Sequence, residues 1–214
     1  QLGLKEIACD SEEMLMQRCD AVVVASPSSL HKKIGLLAAA NDVHLLMEKP
    51  LALSEKDAAA LVDAMNDSGK VLMVDHVERF NPVVQELAKI LVQEDIQGIE
   101  IERCSPMDLR ISDTDVIYDL MIHDVDILLN AIVPTVNYER LEAYGKRTYS
   151  SSYVDYVQAL FQFNNGIVAS VISSRTTESK IRKIRVHCAT SYMDADLLNR
   201  TLSIARKTQY SLDV

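Results

Sequence analysis

Between residues 20 and 75 the chain alternates two patterns. Three apolar runs, Ala21 to Ala25 (AVVVA), Val43 to Met47 (VHLLM) and Val71 to Val74 (VLMV), are continuous rather than alternating, as expected for strands covered on both faces. Helical stretches separate them. One runs from about Ser29 to Ala40 and sets Leu30, Ile34 and Leu37 on one face. The next opens at Ser54, an N-cap residue with Asp57 three positions on, and stops at Gly69, a good C-terminal residue. An earlier helix, roughly 11–18, leads into the first run. Strand and helix in alternation predict a parallel sheet with right-handed crossovers.

Beyond residue 80 the pattern changes. Asn81-Pro82 reads as an N-cap and first helical residue, opening a helix to about Gln93. A second helix, about Val116 to Ile132, carries Ile117, Leu120, Met121, Val125, Leu128 and Leu129. After Val136 the chain reads as strands: 138–144, 153–163, 166–174, 181–188, 192–198 and 201–206. Asn164-Asn165-Gly166 stands between two of them, as a tight hairpin turn does. With no helices between these strands, a largely antiparallel sheet is expected. The fold class is therefore α/β followed by α+β. A truncated Rossmann-like parallel sheet occupies residues 1–80. An open, mostly antiparallel sheet with helices on one face occupies 81–214, the expected substrate-binding and oligomerisation domain.

Composition narrows the function. The chain has 214 residues, 48% hydrophobic and 25% charged, which suits a soluble globular protein with a sizeable core. No apolar run reaches the roughly 18 residues of a membrane helix, and the start lacks a signal-peptide pattern; a cytoplasmic protein with no membrane partner is expected. The net charge of −9 argues against nucleic acid, whose phosphates need a basic face. The basic cluster from Lys180 to Arg185 alternates with Ile181 and Ile184 and reads as the solvent face of a strand. Cys9, Cys19, Cys104 and Cys188 are far apart, so reduced thiols are expected rather than disulfides or a zinc site.

Chemistry gathers where the early strands end. In a parallel sheet all carboxyl ends share one edge, and ligands bind beyond it. The three runs end in Ser26-Pro27, in Glu48-Lys49-Pro50 and in Asp75-His76, with Arg79 just after. A lysine backed by an apolar run is partly desolvated and suits acid–base work, although Glu48 and Lys49 could equally be a local ion pair. A second constellation is "DLMIHDVD", residues 119–126. On a helix Asp119 and His123 share a face, with Asp126 nearby. A carboxylate beside an imidazole suits a general base. The same spacing would also fit a structural histidine, or metal ligands at Asp119, His123 and Asp126, but spacing reveals no further ligand and no metal is expected.

The series "ASPSSLH" (25–31), "EKP" (48–50), "ERFNP" (78–82) and "DLMIHDVD" (119–126), in this order, resembles the Gfo/Idh/MocA family of NAD(P)-dependent sugar and cyclitol oxidoreductases. The two-part layout resembles that family as well. The resemblance implies an enzyme that uses NAD or NADP, held in part by Ser26, Pro27, His31, Glu48, Lys49 and Pro50. Ser26, Pro27 and His31 would line the nicotinamide end. It implies Lys49 as the active-site lysine and Asp119 with His123 as a DxxxH pair, His123 taking the hydroxyl proton as hydride leaves the same carbon. Arg79 and Arg110 would join Asp119 and His123 in contacting substrate or phosphate, unless Arg79 is a structural ion pair with Glu78 or a neighbour. "HVERFNP" and "DLMIHDVDILL" resemble most the bacterial members acting on UDP-N-acetylglucosamine-type sugars at the 3-position.

The family's opening strand, GxGxxG turn and helix have no counterpart here. The chain thus reads as the middle of a larger enzyme, and activity is expected of the complete protein rather than of this stretch. The residue that would decide NAD against NADP falls in the absent part. The alternative is a non-catalytic sugar-binding or regulatory protein derived from the family. Residues 156–161 place apolar groups on both faces of a strand, which predicts a homodimer or homotetramer through the C-terminal sheet.

Overall fold

Alternate burial along the first strands sets the layers of the N-terminal part. A computed structural model of the protein describes residues 8–108, 114–149 and 152–207. The chain forms two compact units, Gln1–His76 and Val77–Val214.

The first unit opens with α1 (Glu12–Met16), capped by the Ser11 hydroxyl, which accepts the Met14 amide. Then come β1 (Ala21–Val24), a single 3₁₀ turn (Ser28–Leu30) running into α2 (His31–Ala40), β2 (His44–Glu48), α3 (Glu55–Asp67) and β3 (Leu72–Asp75). Ser54 caps α3 by accepting the Asp57 amide at 3.2 Å. Just past the helix Gly69 takes φ +67°, open to glycine without strain. The strands lie parallel in the order β1-β2-β3. Val22, Val24, Leu45 and Met47 pack against Ile34, Ala38, Leu61 and Met65. Helix and sheet approach closely at Gly35, where a Cβ would lie 2.5 Å from Leu61 Cδ1 and 3.3 Å from Leu45 Cδ2.

Among the described residues, helices cover one face of this sheet. Val23 is 70% exposed and Met73 45% exposed, and the described helices of this unit share one core on the other side. A continuous apolar run has apolar residues at both parities, so it marks a strand without saying which face is covered.

The second unit begins with a short turn (Val77–Phe80) and α4 (Pro82–Leu91), capped by Asn81, whose side-chain oxygen accepts the Val83 amide. β4 (Ile96–Cys104) follows. A helical stretch over 117–132 has α5 (Ile122–Ile127) as its middle, flanked by wider π-helical turns at Ile117–Met121 and Leu128–Ile132. The remaining strands are β5 (Tyr138–Lys146), β6 (Tyr156–Phe163), β7 (Val168–Ser174), β8 (Ile181–Cys188), β9 (Ser191–Asp196) and β10 (Thr201–Arg206). They form one sheet with β4, in the order β10-β9-β8-β4-β7-β6-β5. The Asn164–Gly166 turn joins β6 to β7 with Gly166 at φ +90°.

β4 has no counterpart among the expected strands, yet it is central. It runs parallel to β7 and antiparallel to β8. Its Ile99 and Ile101 face the core with Val157, Phe161, Val171 and Ile184, under Val84, Leu87 and Leu128 of the helices. Each such side chain contributes roughly 1.5–3 kcal/mol on full burial. The next inward position on β4 is taken by an arginine.

Candidate active site

In the first unit the polar strand ends do converge. β1, β2 and β3 are parallel and in register, with Glu48 beside Asp75, so Ser26, Lys49 and His76 all follow strands at one sheet edge. Lys49 is half-buried and Pro50, joined to it by a cis peptide, is buried. The Glu48 carboxylate accepts the Lys49 main-chain N–H at 3.2 Å. His31 is fully buried. The residue expected to line the cofactor loop thus offers no surface to a ligand. Its Nδ1 lies 2.8 Å from the Pro50 carbonyl oxygen and its Nε2 3.0 Å from that of Ser26.

In the second unit the helical stretch 117–132 carries Asp119 and His123, four residues apart and half-buried. Two buried arginines from neighbouring strand ends grip this helix. Arg175, just after β7, donates to Asp119 Oδ2 at 3.1 Å and to the carbonyl oxygens of Thr114 and Asp115 at 2.8 and 3.3 Å. Arg103, on β4 and only 2% exposed, donates from Nε to both oxygens of Asp124 at 2.9 and 3.0 Å, and its Nη2 lies 2.8 Å from Oδ1. Asp124 is the residue next to His123.

The network extends beyond the helix. Glu78 Oε1 accepts from Arg103 Nη1 and from Arg182 Nη1, both at 3.0 Å. Burial alone would raise the Glu78 carboxyl, but the guanidinium groups of Arg103 and Arg182 and the Asn81 amide hold it below its usual range. Burial pushes the Asp124 carboxyl up, against the pull of Arg103. Arg79 donates from Nε to Asp126 Oδ2 at 2.7 Å and from Nη2 to Oδ1. Its ion-pair partner is therefore Asp126, not the adjacent Glu78. Of the three residues that could have served a metal, Asp119 and Asp126 are thus committed to arginines. At the end of β4, burial and then the nearby Glu102 carboxylate push the Cys104 thiol up to about 11, so it is protonated and a poor nucleophile at neutral pH. Arg182, read as solvent-facing, reaches the buried Glu78 instead. Arg110 lies outside the described residues.

Sequence reasoning missed Arg103, Arg175, Glu78 and Asp124. One signal was available: "GIEIERC" alternates Ile99, Ile101 and Arg103 on one parity. An arginine on the inward face of a strand must find a carboxylate.

Comparison with known proteins bears on what this arrangement is for. The model of the oxidoreductase family with an NAD-binding Rossmann fold matches residues 2–76, and that of the GFO/IDH/MocA C-terminal domain matches 107–193. The chain belongs to the Gfo/Idh/MocA oxidoreductase family. Among its Gfo/Idh/MocA relatives, UDP-N-acetylglucosamine 3-dehydrogenase of Acidithiobacillus ferrooxidans is 33% identical over 199 residues, which is 92% of this chain and 62% of that protein. The NAD⁺-dependent scyllo-inositol 2-dehydrogenase of Bacillus subtilis is 28% identical over 195 residues, 83% of this chain and 55% of that one. A solved structure of the Acidithiobacillus enzyme superposes with a TM-score of 0.86 at 32% identity, over 93% of this chain and 65% of that one. The chain therefore spans less than two thirds of the length of these relatives.

Proposed function

We propose that the whole protein is an NAD(P)-dependent dehydrogenase acting on a secondary alcohol of a sugar, nucleotide sugar or cyclitol, with the 3-hydroxyl of a UDP-N-acetylglucosamine-type sugar as the favoured substrate. The observation that carries this reading is the Asp119–His123 pair on a helix pinned by two buried arginines, in a family whose first domain is an NAD-binding Rossmann fold. The substrate class follows the names of the relatives, the nucleotide sugar that of the most extensively matched of them.

The residues present fit part of the cofactor. The loops after β1 and β2 supply Ser26, Pro27 and Lys49 at the edge where a nicotinamide would rest. The loop from β1 to α2, ASPSSL, has no glycine to let a pyrophosphate approach the backbone. Thus the nicotinamide end is the part these residues would hold. When bound, NAD(P) supplies the acceptor for the hydride. His123 takes the hydroxyl proton, and because its Nδ1 is buried the proton goes to Nε2. Lys49 is the first unit's acid–base group, orienting a hydroxyl or relaying its proton at the nicotinamide edge.

The test follows absorbance of the reduced nicotinamide with NAD⁺ and NADP⁺ against UDP-N-acetylglucosamine and a panel of inositols and free sugars. Reduced cofactor should accumulate with at least one of them. Saturable NADH binding by a folded whole protein that turns over none of the panel would overturn the enzyme reading in favour of a sugar-binding role.

A second copy of the chain is the proposed partner. The sheet face away from the helices carries Tyr144, Leu160 and Val168, all over 40% exposed, on β5, β6 and β7, and a charged ladder on the strands beyond. In that ladder Arg185 stands 3.4 Å from Glu100 and 3.6 Å from Asp194 across β4, β8 and β9. Such a face, apolar on one side and charged on the other, suits an isologous contact. Light scattering at micromolar concentration should give a dimer or tetramer, and Leu160→Asp should shift it towards monomer. A monomeric parent protein would remove this proposal. No helix among the described residues is long and apolar enough to cross a membrane. A cytoplasmic location accords with that and with four cysteines outside any disulfide.

A further inference from the structure

His31 opens α2 with its side chain wholly inside the protein. Both ring nitrogens face main-chain carbonyl oxygens, Pro50 at 2.8 Å and Ser26 at 3.0 Å. Those carbonyls belong to the two loops that leave the adjacent parallel strands β1 and β2. Carbonyl oxygens only accept, so each ring nitrogen can serve here only as a donor: a ring with one N–H bonds one loop, and a ring with two bonds both. A buried imidazole with both edges turned to loop carbonyls is a strut of fixed width between them.

The two loops differ in the way this strut suggests. Pro50, drawn to the ring by its carbonyl, is buried, while Lys49 before it stays half-exposed. Ser26 is half-buried, and Pro27 after it is exposed. Each loop is anchored at one residue and leaves its neighbour accessible.

We propose that His31 is a positioning residue, a clasp between the loops after β1 and β2 that sets the position of Lys49 relative to Ser26 and Pro27 without touching cofactor or substrate. Its catalytic consequence rests on the assignment of Lys49 above; the clasp itself does not. Misplacing a reacting group by about an ångström can cost up to about a hundredfold in rate, so a strut of this kind matters to kcat even from a buried position.

The two contacts can be probed separately by substitution. The amide nitrogen of an asparagine falls near the place of Nδ1 and can keep the Pro50 bond. That of a glutamine reaches nearer to Nε2 and can keep the Ser26 bond. His31→Leu keeps neither. Hydrogen exchange on the protein should quicken over 25–31 and 48–53 in His31→Leu, with α3 unchanged; His31→Asn should restore protection at 48–53, and His31→Gln at 25–31. In the whole protein His31→Leu should lower kcat about tenfold or more. His31→Asn should recover most of that loss and His31→Gln should not. Equal behaviour of the asparagine and glutamine variants would overturn the clasp. So would exchange that quickens evenly across the first unit, or a folded His31→Leu protein with both loops and kcat unaltered. Failure of the Lys49 assignment is recognised separately, by turnover retained in Lys49→Ala while the loop-specific exchange pattern stands.

Discussion

Lys49→Ala and His123→Ala in the whole protein are each expected to lower kcat by about 10²–10⁴-fold, the usual range for loss of a positioned acid–base group, with circular dichroism and melting temperature unchanged. Neither side chain is part of a hydrophobic core: both are half-buried, Lys49 after β2 and His123 on the exposed side of α5 relative to Asp124. Substrate KM should change less than kcat, since the interactions strengthen as charge develops on oxygen. Turnover within about tenfold of the parent in both single variants, against the acid–base range above, would remove these residues from the chemistry.

Arg103→Met is expected to be the most damaging single change to the second unit. It leaves Asp124, 1% exposed, without its guanidinium. Removing one partner of a buried pair costs about 3–5 kcal/mol, because the other charge stays buried and uncompensated. At about 2–4 °C per kcal/mol for a chain of this size, the melting temperature should fall by about 6–20 °C. Arg182→Met is the control. Its side chain is 35% exposed and shares the same Glu78 oxygen, so solvent screening limits its loss to about 1 kcal/mol. The pH dependence follows from Glu78, whose folded-state value is depressed. Its stabilisation is complete above the unfolded value, about 4.3, and is lost as pH falls through the lower folded value. Arg103→Met should therefore weaken the acid-induced part of unfolding as well as lower stability at neutral pH. Melts followed by circular dichroism across pH measure both. Equal losses in the two arginine variants would contradict the buried-pair account.

Local signals in the sequence were reliable where the determinant was itself local. Ser54 with Asp57, Asn81-Pro82 and Asn164-Asn165-Gly166 each mark an end or a turn that the fold contains, because capping and left-handed backbone need particular residues within a few positions. The grouping of Ser26, Lys49 and His76 at one edge followed from parallel strands alone. What escaped was non-local. β4 sets Ile96, Ile99 and Ile101 among Gln97, Gly98, Glu100, Glu102 and Arg103, and its place depends on β7 and β8, more than sixty residues away. The arginine partners are equally remote. Arg79 finds Asp126, Arg103 finds Asp124 and Arg175 finds Asp119 across 47, 21 and 56 positions. Reading Asp119 against its helical neighbour His123 captured one side of that carboxylate and left its buried partner out.

A cylinder held at one point can still spin about its axis; one held at two points on different bearings cannot. Asp119 and Asp124 are such points, and the hands that hold them leave the sheet on adjacent strands, where Arg103 pairs with Ser173 and Cys104 with Ser174. The compass heading of His123, between the two grips, is thus borrowed from the alignment of β4 with β7. A slip of one residue in that alignment would turn Arg103 to the opposite face and remove one of the grips that fix the helix's rotation, in which successive residues stand roughly 100° apart. The motif would remain intact, and His123 would be aimed elsewhere.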